Sequence, residues 1–204
     1  MLSNIYLNPL DWLLESLGLR SVRYADDIVV LAADAKTATH ALDSISEWMA
    51  GVELTLHPDK TRIVDMNEAD AYFDFLGYRF KRSQKGKLLR LVRPKSKQSL
   101  RAKLRKPTKR SNARSLEAVI TLINPVLQGW FGYFKQAHPS DLSEMDGWVR
   151  MRLRSILRKR HKRKGKGRGL DHYRWPNRYF ENLGLFSLEQ ARVEMMSLRT
   201  GVKC

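Results

Sequence analysis

A chain of 204 residues with 43% hydrophobic content can bury a real core, as one medium domain or two small ones. Its only cysteine is the last residue, Cys204, which excludes an internal disulfide framework or a cysteine zinc site. Its five histidines show no metal-ligand spacing. No apolar run approaches the roughly 18 residues of a membrane span and no charged leader precedes an apolar stretch, so the chain reads as soluble and cytoplasmic, with no membrane contact. The net charge of +17 is unevenly spread. Residues 1–75 carry five Lys and Arg against thirteen Asp and Glu, whereas residues 76–204 carry thirty-three against eight. A basic field of that size speaks of a polyanionic partner.

In chain order, Asn4 to Leu17 has apolar residues at close to helical spacing and ends at Gly18, which predicts one helix. Residues 19–33 predict a β-hairpin. Asp34 can cap a helix that carries Ala38, Ala41, Leu42, Ile45, Trp48 and Met49 on one side and stops at Gly51. Val52, Leu54 and Leu56 alternate with polar neighbours like a half-buried strand, and Thr61 to Val64 continues the pattern. Phe73 to Arg82 with Lys87 to Val92 predicts a second hairpin around Lys85-Gly86. The expected layout of residues 1–93 is β-α-β-β, with helices on one side of an antiparallel sheet.

Residues 94–204 have a helical texture. Ser96 to Arg105 predicts a short basic helix and Lys106 to Asn112 a connecting loop. Leu116 to Ile123 has helical spacing, and Asn124-Pro125 resembles an N-cap with proline at the first position of a further helix. Met145, Val149, Leu153, Ile156 and Leu157 stripe a helix over 141–160. Lys162 to Gly169 reads as a loop, and Ser187 with Gln190 fits a capping box for the last helix.

Two features carry chemistry. Asp26 and Asp27 lie side by side at the expected hairpin tip. There they repel by roughly 4 kcal/mol at 4 Å and an effective dielectric near 20 unless a cation sits between them. Hard carboxylate oxygens suit Mg²⁺, and paired Mg²⁺ ions serve in-line phosphoryl transfer. The second feature is a cationic cluster, Arg150, Arg152, Arg154, Arg158, Lys159, Arg160, Lys162, Arg163, Lys164, Lys166 and Arg168. So dense a run of one sign is self-repelling without a polyanion, and RNA is the expected one. Of the neighbouring aromatics, Trp130 and Trp148 lie on apolar stripes, whereas Tyr173-Arg174-Trp175 beside the basic loop is the expected contact for unpaired bases.

Tyr24-Ala25-Asp26-Asp27 followed by Ile28-Val29-Val30-Leu31 resembles the catalytic hairpin of reverse transcriptases. The flanking blocks Leu2 to Leu7, Gly51 to Ile63 and Phe75 to Tyr78 follow in the same order. Asn124 to Trp130, Trp148-Val149-Arg150 and Gly184 to Leu188 resemble the maturase domain of group II intron-encoded proteins. The resemblance implies an α+β fold: a partial reverse-transcriptase palm over 1–93, then a helical thumb/maturase domain over 94–204, the C-terminal portion of such a protein. It implies Asp26 and Asp27 as Mg²⁺ ligands, Tyr24 beside the primer terminus, Lys60 near the nucleotide phosphates, and Phe75, Leu76, Gly77 and Tyr78 as the primer grip. It also implies group II intron RNA as partner and help with RNA splicing as function.

The family has a further metal-binding Asp and nucleotide-binding fingers upstream of the YADD hairpin, and this sequence starts after that point. The isolated chain is therefore expected not to polymerise DNA, and no endonuclease domain is expected. The alternative expectation is a C-terminal piece of a split RNA-directed DNA polymerase, working on a DNA primer only with a separate N-terminal fragment.

Overall fold

The computed structural model describes residues 2–165 and 169–200. Lys166 and Arg168 of the basic cluster lie outside the described residues. The chain divides into two compact units: residues 1–76 with 80–88, and residues 77–79 with 89–204.

The first unit opens with two short helices, α1 (Leu2–Tyr6) and α2 (Asn8–Ser16), where one was expected. Pro9 stands in the first turn of α2, where its missing N–H costs nothing, and the helix restarts after Leu7. Leu10 and Leu14 are buried along one face of α2, and Leu7, just before the helix, is buried as well. The helix ends on Gly18 at φ 68°, with Gly18 N–H donating to the Glu15 carbonyl and Leu19 N–H to the Leu14 carbonyl. This pair of bonds satisfies carbonyls the helix would otherwise leave open.

Strands β1 (Arg20–Tyr24) and β2 (Asp27–Leu31) pair antiparallel, with Tyr24 opposite Asp27 and Val22 opposite Val29. Ile28 and Val30 pack toward Leu10, Leu14 and Ile45. Helix α3 (Ala35–Gly51) is capped by the Asp34 carboxylate, which accepts the Thr37 N–H at 2.7 Å, and buries Ala41 and Ile45.

The strand expected from Val52 onward does not form, nor does its continuation through Thr61 to Val64. The backbone leaving α3 instead closes local bonds: Glu53 takes φ 57° and Leu54 N–H donates to the Met49 carbonyl. Leu56 joins the core from a loop, so alternation here records packing without a ladder. Lys60 lies in the turn that follows His57.

The remaining strands are β3 (Tyr72–Phe75), β4 (Tyr78–Arg82) and β5 (Leu88–Val92), in the order β3-β4-β5. Strand pairing is thus split between two small sheets rather than gathered in one. The expected continuous strand Phe73 to Arg82 is interrupted by a turn at Leu76-Gly77, both at positive φ (48° and 78°). Tight hairpin turns require that backbone, and Leu in it is costly.

The second unit is built on α4 (Pro94–Arg105), α5 (Leu116–Phe134) and α6 (Pro139–Arg160), followed by α7 (Asp171–Arg174), α8 (Asn177–Asn182) and α9 (Leu188–Thr200). Leu100, Leu104, Ile120, Ile123, Leu127, Leu142, Met145 and Leu153 fill its core, and Phe180, Leu185 and Leu188 return to it from the C-terminal segment. Helix α5 runs through Pro125, so Asn124 is not an N-cap. Its amide is committed elsewhere, donating to the Gly184 carbonyl at 2.7 Å and accepting the Phe186 N–H at 3.0 Å. Ser187 does cap α9, its hydroxyl oxygen accepting the Gln190 N–H. The buried Asp146 carboxylate adds bonds from the Ser187 hydroxyl and the Leu188 and Glu189 N–H groups. A negative charge there also complements the helix dipole.

Candidate nucleic-acid interface

Helix α6 changes character along its length. In its middle the cations are structural. Arg154 is 1% exposed, donates to the Trp175 carbonyl at 2.9 Å and to Asn177 Oδ1 at 2.8 Å, and lies 5.1 Å over the Phe180 ring. Burial, with Arg150 nearby, pushes its guanidinium below the ordinary arginine range. Arg152 closes the end of α4, donating to the carbonyls of Arg105 and Thr108 and to the Thr108 hydroxyl. Arg150 is mostly covered and approaches Asp146 at 3.8 Å.

Past Arg158 the side chains turn outward. Lys159, Arg160, Lys162, Arg163 and Lys164 are exposed, at the C-terminal end of α6 where the helix dipole favours cations. The helix stops with Lys162 N–H donating to the Lys159 carbonyl and Arg163 N–H to the Arg158 carbonyl, which places Lys162 at φ 56°. Glycine normally takes that position, and a lysine there costs about 1 kcal/mol.

The segment after α4, expected to be only a connecting loop, adds a second strip of charge. Arg110 Nη2 donates to the Arg163 carbonyl at 2.5 Å, and Arg160 Nη2 donates to the Arg114 carbonyl. Lys106, Lys109 and Arg114 are exposed beside this clasp. Neither 75–116 nor 147–170 contains a single Asp or Glu. Two acid-free segments are thus tied together through neutral carbonyls, so their charges are not cancelled by the bonds that join them. That shared lack of acids was the signal in the sequence that this loop belongs with α6.

Of the expected aromatic contacts, Tyr173 is 86% exposed and Arg174 is exposed beside it. Trp175 corrects the expectation: it is 6% exposed and packs in the core, with its carbonyl held by Arg154. Arg154 and Trp175 thus form part of the scaffold and offer no surface to a ligand.

In the first unit, Ala25 and Asp26 make the two-residue turn of the β1–β2 hairpin, with Ala25 at φ 55°, and Asp27 is the first residue of β2. Both carboxylates are exposed, as is Tyr24. Arg23 braces the turn from below. Its guanidinium grips both Asp11 oxygens, at 2.8 and 2.5 Å, and donates to Asn4 Oδ1 and to the Ala25 carbonyl at 3.0 Å. The Arg23 hydrogen bond holds the Asp11 carboxyl below the usual range. Among the described residues, no three His, Cys, Asp or Glu side chains gather to hold a metal ion. Lys60 is exposed. Phe75, Leu76, Gly77 and Tyr78 form the β3–β4 turn. A Cβ at Gly77 would lie 3.3 Å from Phe134 Cζ, and the Tyr78 hydroxyl donates to the Tyr133 carbonyl at 2.7 Å.

Residues 1–80 match the family model of the reverse transcriptase (RNA-dependent DNA polymerase), and residues 97–175 match the group II intron maturase-specific domain. The two matches together take in most of the chain, in the order the fold presents them. The chain belongs to the group II intron reverse transcriptase/maturases. No curated protein is similar enough to be named as a relative.

In this reverse transcriptase/maturase chain the α+β segment is a partial palm and the helical unit carries the maturase domain. The pairing of the two ties the chain to group II intron splicing. Maturase domains of the family bind intron RNA, and its reverse-transcriptase domains use a divalent metal. The maturase match takes in 97–116 and 147–170, which include all four arginines of the clasp. No helix among the described residues is long and apolar enough to cross a membrane.

Proposed function

We propose that this chain binds structured group II intron RNA across the joined surface of Lys106, Lys109, Arg114, Lys159, Arg160, Lys162, Arg163 and Lys164, with Tyr173 stacking on an unpaired base. Binding of this kind favours the splicing fold of the RNA if the active fold is held more tightly than its competitors, and it asks for no protein nucleophile. The observation that carries the reading is the clasp, which brings two acid-free segments together without neutralising them. Phosphate contacts of this type release counterions, so affinity should fall by roughly 10³ to 10⁵ between 50 and 200 mM salt for about 6 to 10 contacts. The test is intron splicing at limiting Mg²⁺. Added chain should raise the spliced fraction, and the Lys159→Ala/Lys162→Ala/Lys164→Ala variant should not. Equal splicing with both proteins would remove the proposal.

A second reading, association with a separate N-terminal reverse-transcriptase fragment, is favoured by the outward face of the hairpin. Val22, Tyr24 and Leu31 are each more than half exposed there. In that assembly Asp26 and Asp27 would supply two hard-oxygen ligands to Mg²⁺, which neutralises phosphate charge when bound. Tyr24, Lys60 and the Phe75 to Tyr78 turn would face a DNA primer and nucleotide. Extension of a primer on an RNA template after co-expression, lost in Asp26→Ala, would support this reading; extension that survives Asp26→Ala would count against it.

A further inference from the structure

Asp171 is the one acid between Asp146 and Glu181, in the most basic stretch of the chain. It is 1% exposed, and its Oδ2 receives Arg158 Nη1 at 2.6 Å. The same guanidinium reaches forward along its own chain, where Nε donates to the Lys164 carbonyl at 3.2 Å and Nη2 donates to it at 2.5 Å. One arginine therefore ties three things together: the last turns of α6, the backbone of the exposed basic residues 162–164, and the turn that presents Tyr173. Its own side chain is 21% exposed, so little of its charge is offered outward. What it supplies is shape. Pointing a planar fork at a carbonyl and a carboxylate at once demands an anchor, and buried Asp171 is that anchor.

We propose that Asp171 is a positioning residue for RNA binding, holding through Arg158 the basic residues 162–164 in the geometry that meets phosphates. This rests on the RNA-binding reading above and adds the acid that the reading does not use. The sign of the effect is what makes it testable. Coulomb's law alone says that removing a negative charge from a phosphate-binding region tightens binding. Positioning says that it weakens binding, because the phosphate contacts no longer line up.

The experiment measures affinity of the full chain for a transcribed group II intron RNA over a range of salt. It compares wild type, Asp171→Asn, Arg158→Lys and the double variant Arg158→Met/Asp171→Leu. The double variant leaves net charge unchanged and replaces a buried ion pair by apolar side chains, an exchange that folded proteins often accept. Arg158→Lys keeps the charge but loses the fork. Asp171→Asn and the double variant should bind about tenfold more weakly, with the slope of log affinity against log salt shallower by about one to two phosphates. Arg158→Lys should move the same way by a smaller factor. A mere loss of folded protein would lower affinity without changing the slope. Tighter binding by Asp171→Asn, or weaker binding at an unchanged slope in the variants that unfold cooperatively, overturns the proposal. Should Asp171→Asn fail to fold, Arg158→Lys and the double variant decide by the same two readouts. If Lys159→Ala/Lys162→Ala/Lys164→Ala also binds like wild type, the RNA-binding reading itself has failed. If that variant weakens while Asp171→Asn does not, only the positioning role has failed.

Discussion

The acidic hairpin tip of the first unit and the basic end of α6 in the second are both clusters of like charge at the end of a regular element. Each is braced by an arginine that binds a carboxylate and a backbone carbonyl at once, Arg23 with Asp11 and Arg158 with Asp171, yet the charge left outward has opposite sign. At the tip, an arginine beneath the turn anchors its backbone through the Ala25 carbonyl and is itself neutralised by Asp11. The two carboxylates are left outward on a braced turn. At the end of α6, two further arginines hold each other's segments through neutral carbonyls, and Asp171, the acid that pairs with Arg158, is buried. The first arrangement presents two isolated oxygens-rich groups suited to a small hard cation. The second presents a broad field of positive charge suited to a chain of phosphates. One bracing device thus serves two kinds of ligand, and the sign and breadth of the charge left outward decide between them.

The largest expected effect lies in the scaffold of α6. Arg154→Ala should lower unfolding stability by about 3 kcal/mol, since it opens a cavity and strands the buried Trp175 carbonyl. A urea midpoint measures this, and the folded protein should keep its salt slope for RNA. Neutralising Lys159, Lys162 and Lys164 together should reverse that pattern. Affinity should fall by about ten- to a hundredfold and the salt slope by about three, while the urea midpoint stays within about 0.5 kcal/mol. Asp26→Asn/Asp27→Asn should leave RNA affinity unchanged or slightly tighter.

Lys162→Gly sharpens the contrast on a single residue. Glycine relieves the left-handed backbone at φ 56°, raising stability by up to about 1 kcal/mol, and the lost cation weakens RNA binding a few-fold. A variant that is more stable and binds less well separates the cost of the loop from its use.

The smallest effect concerns acid. The Lys97 hydrogen bond holds the Glu144 carboxyl below its ordinary value. A group depressed in the folded state stabilises above its unfolded pKa and loses that stabilisation as pH falls through the folded value. Wild type should therefore lose stability as pH drops from about 5 toward 3, and Glu144→Gln should lose less over the same window. Thermal midpoints across that range would measure it.

The helices that bury Ile45, Met145, Leu153 and Ile156 were legible because a 3.6-residue period records one wet and one dry face. The YADD hairpin was legible because strand pattern and turn residues agree. Other features were not. The Leu76-Gly77 turn uses a leucine where local chemistry would choose asparagine or glycine, so the residue pattern did not announce it. Asn124-Pro125 has the local look of a helix start, but Asn124 spends its amide on the Gly184 carbonyl and the Phe186 N–H, sixty residues away. The basic cluster looked uniform because sequence gives sign without depth. Arg154 and Lys159 read alike until α6 is packed, and then one is core and the other surface.

The most direct test of the account is crosslinking of the full chain to bound group II intron RNA, with the attached peptides read by mass spectrometry. Crosslinks at both Lys106–Arg114 and Lys159–Lys164, with Tyr173, are the result the joined surface requires. Crosslinks confined to the first unit, or to one of the two segments alone, would contradict it.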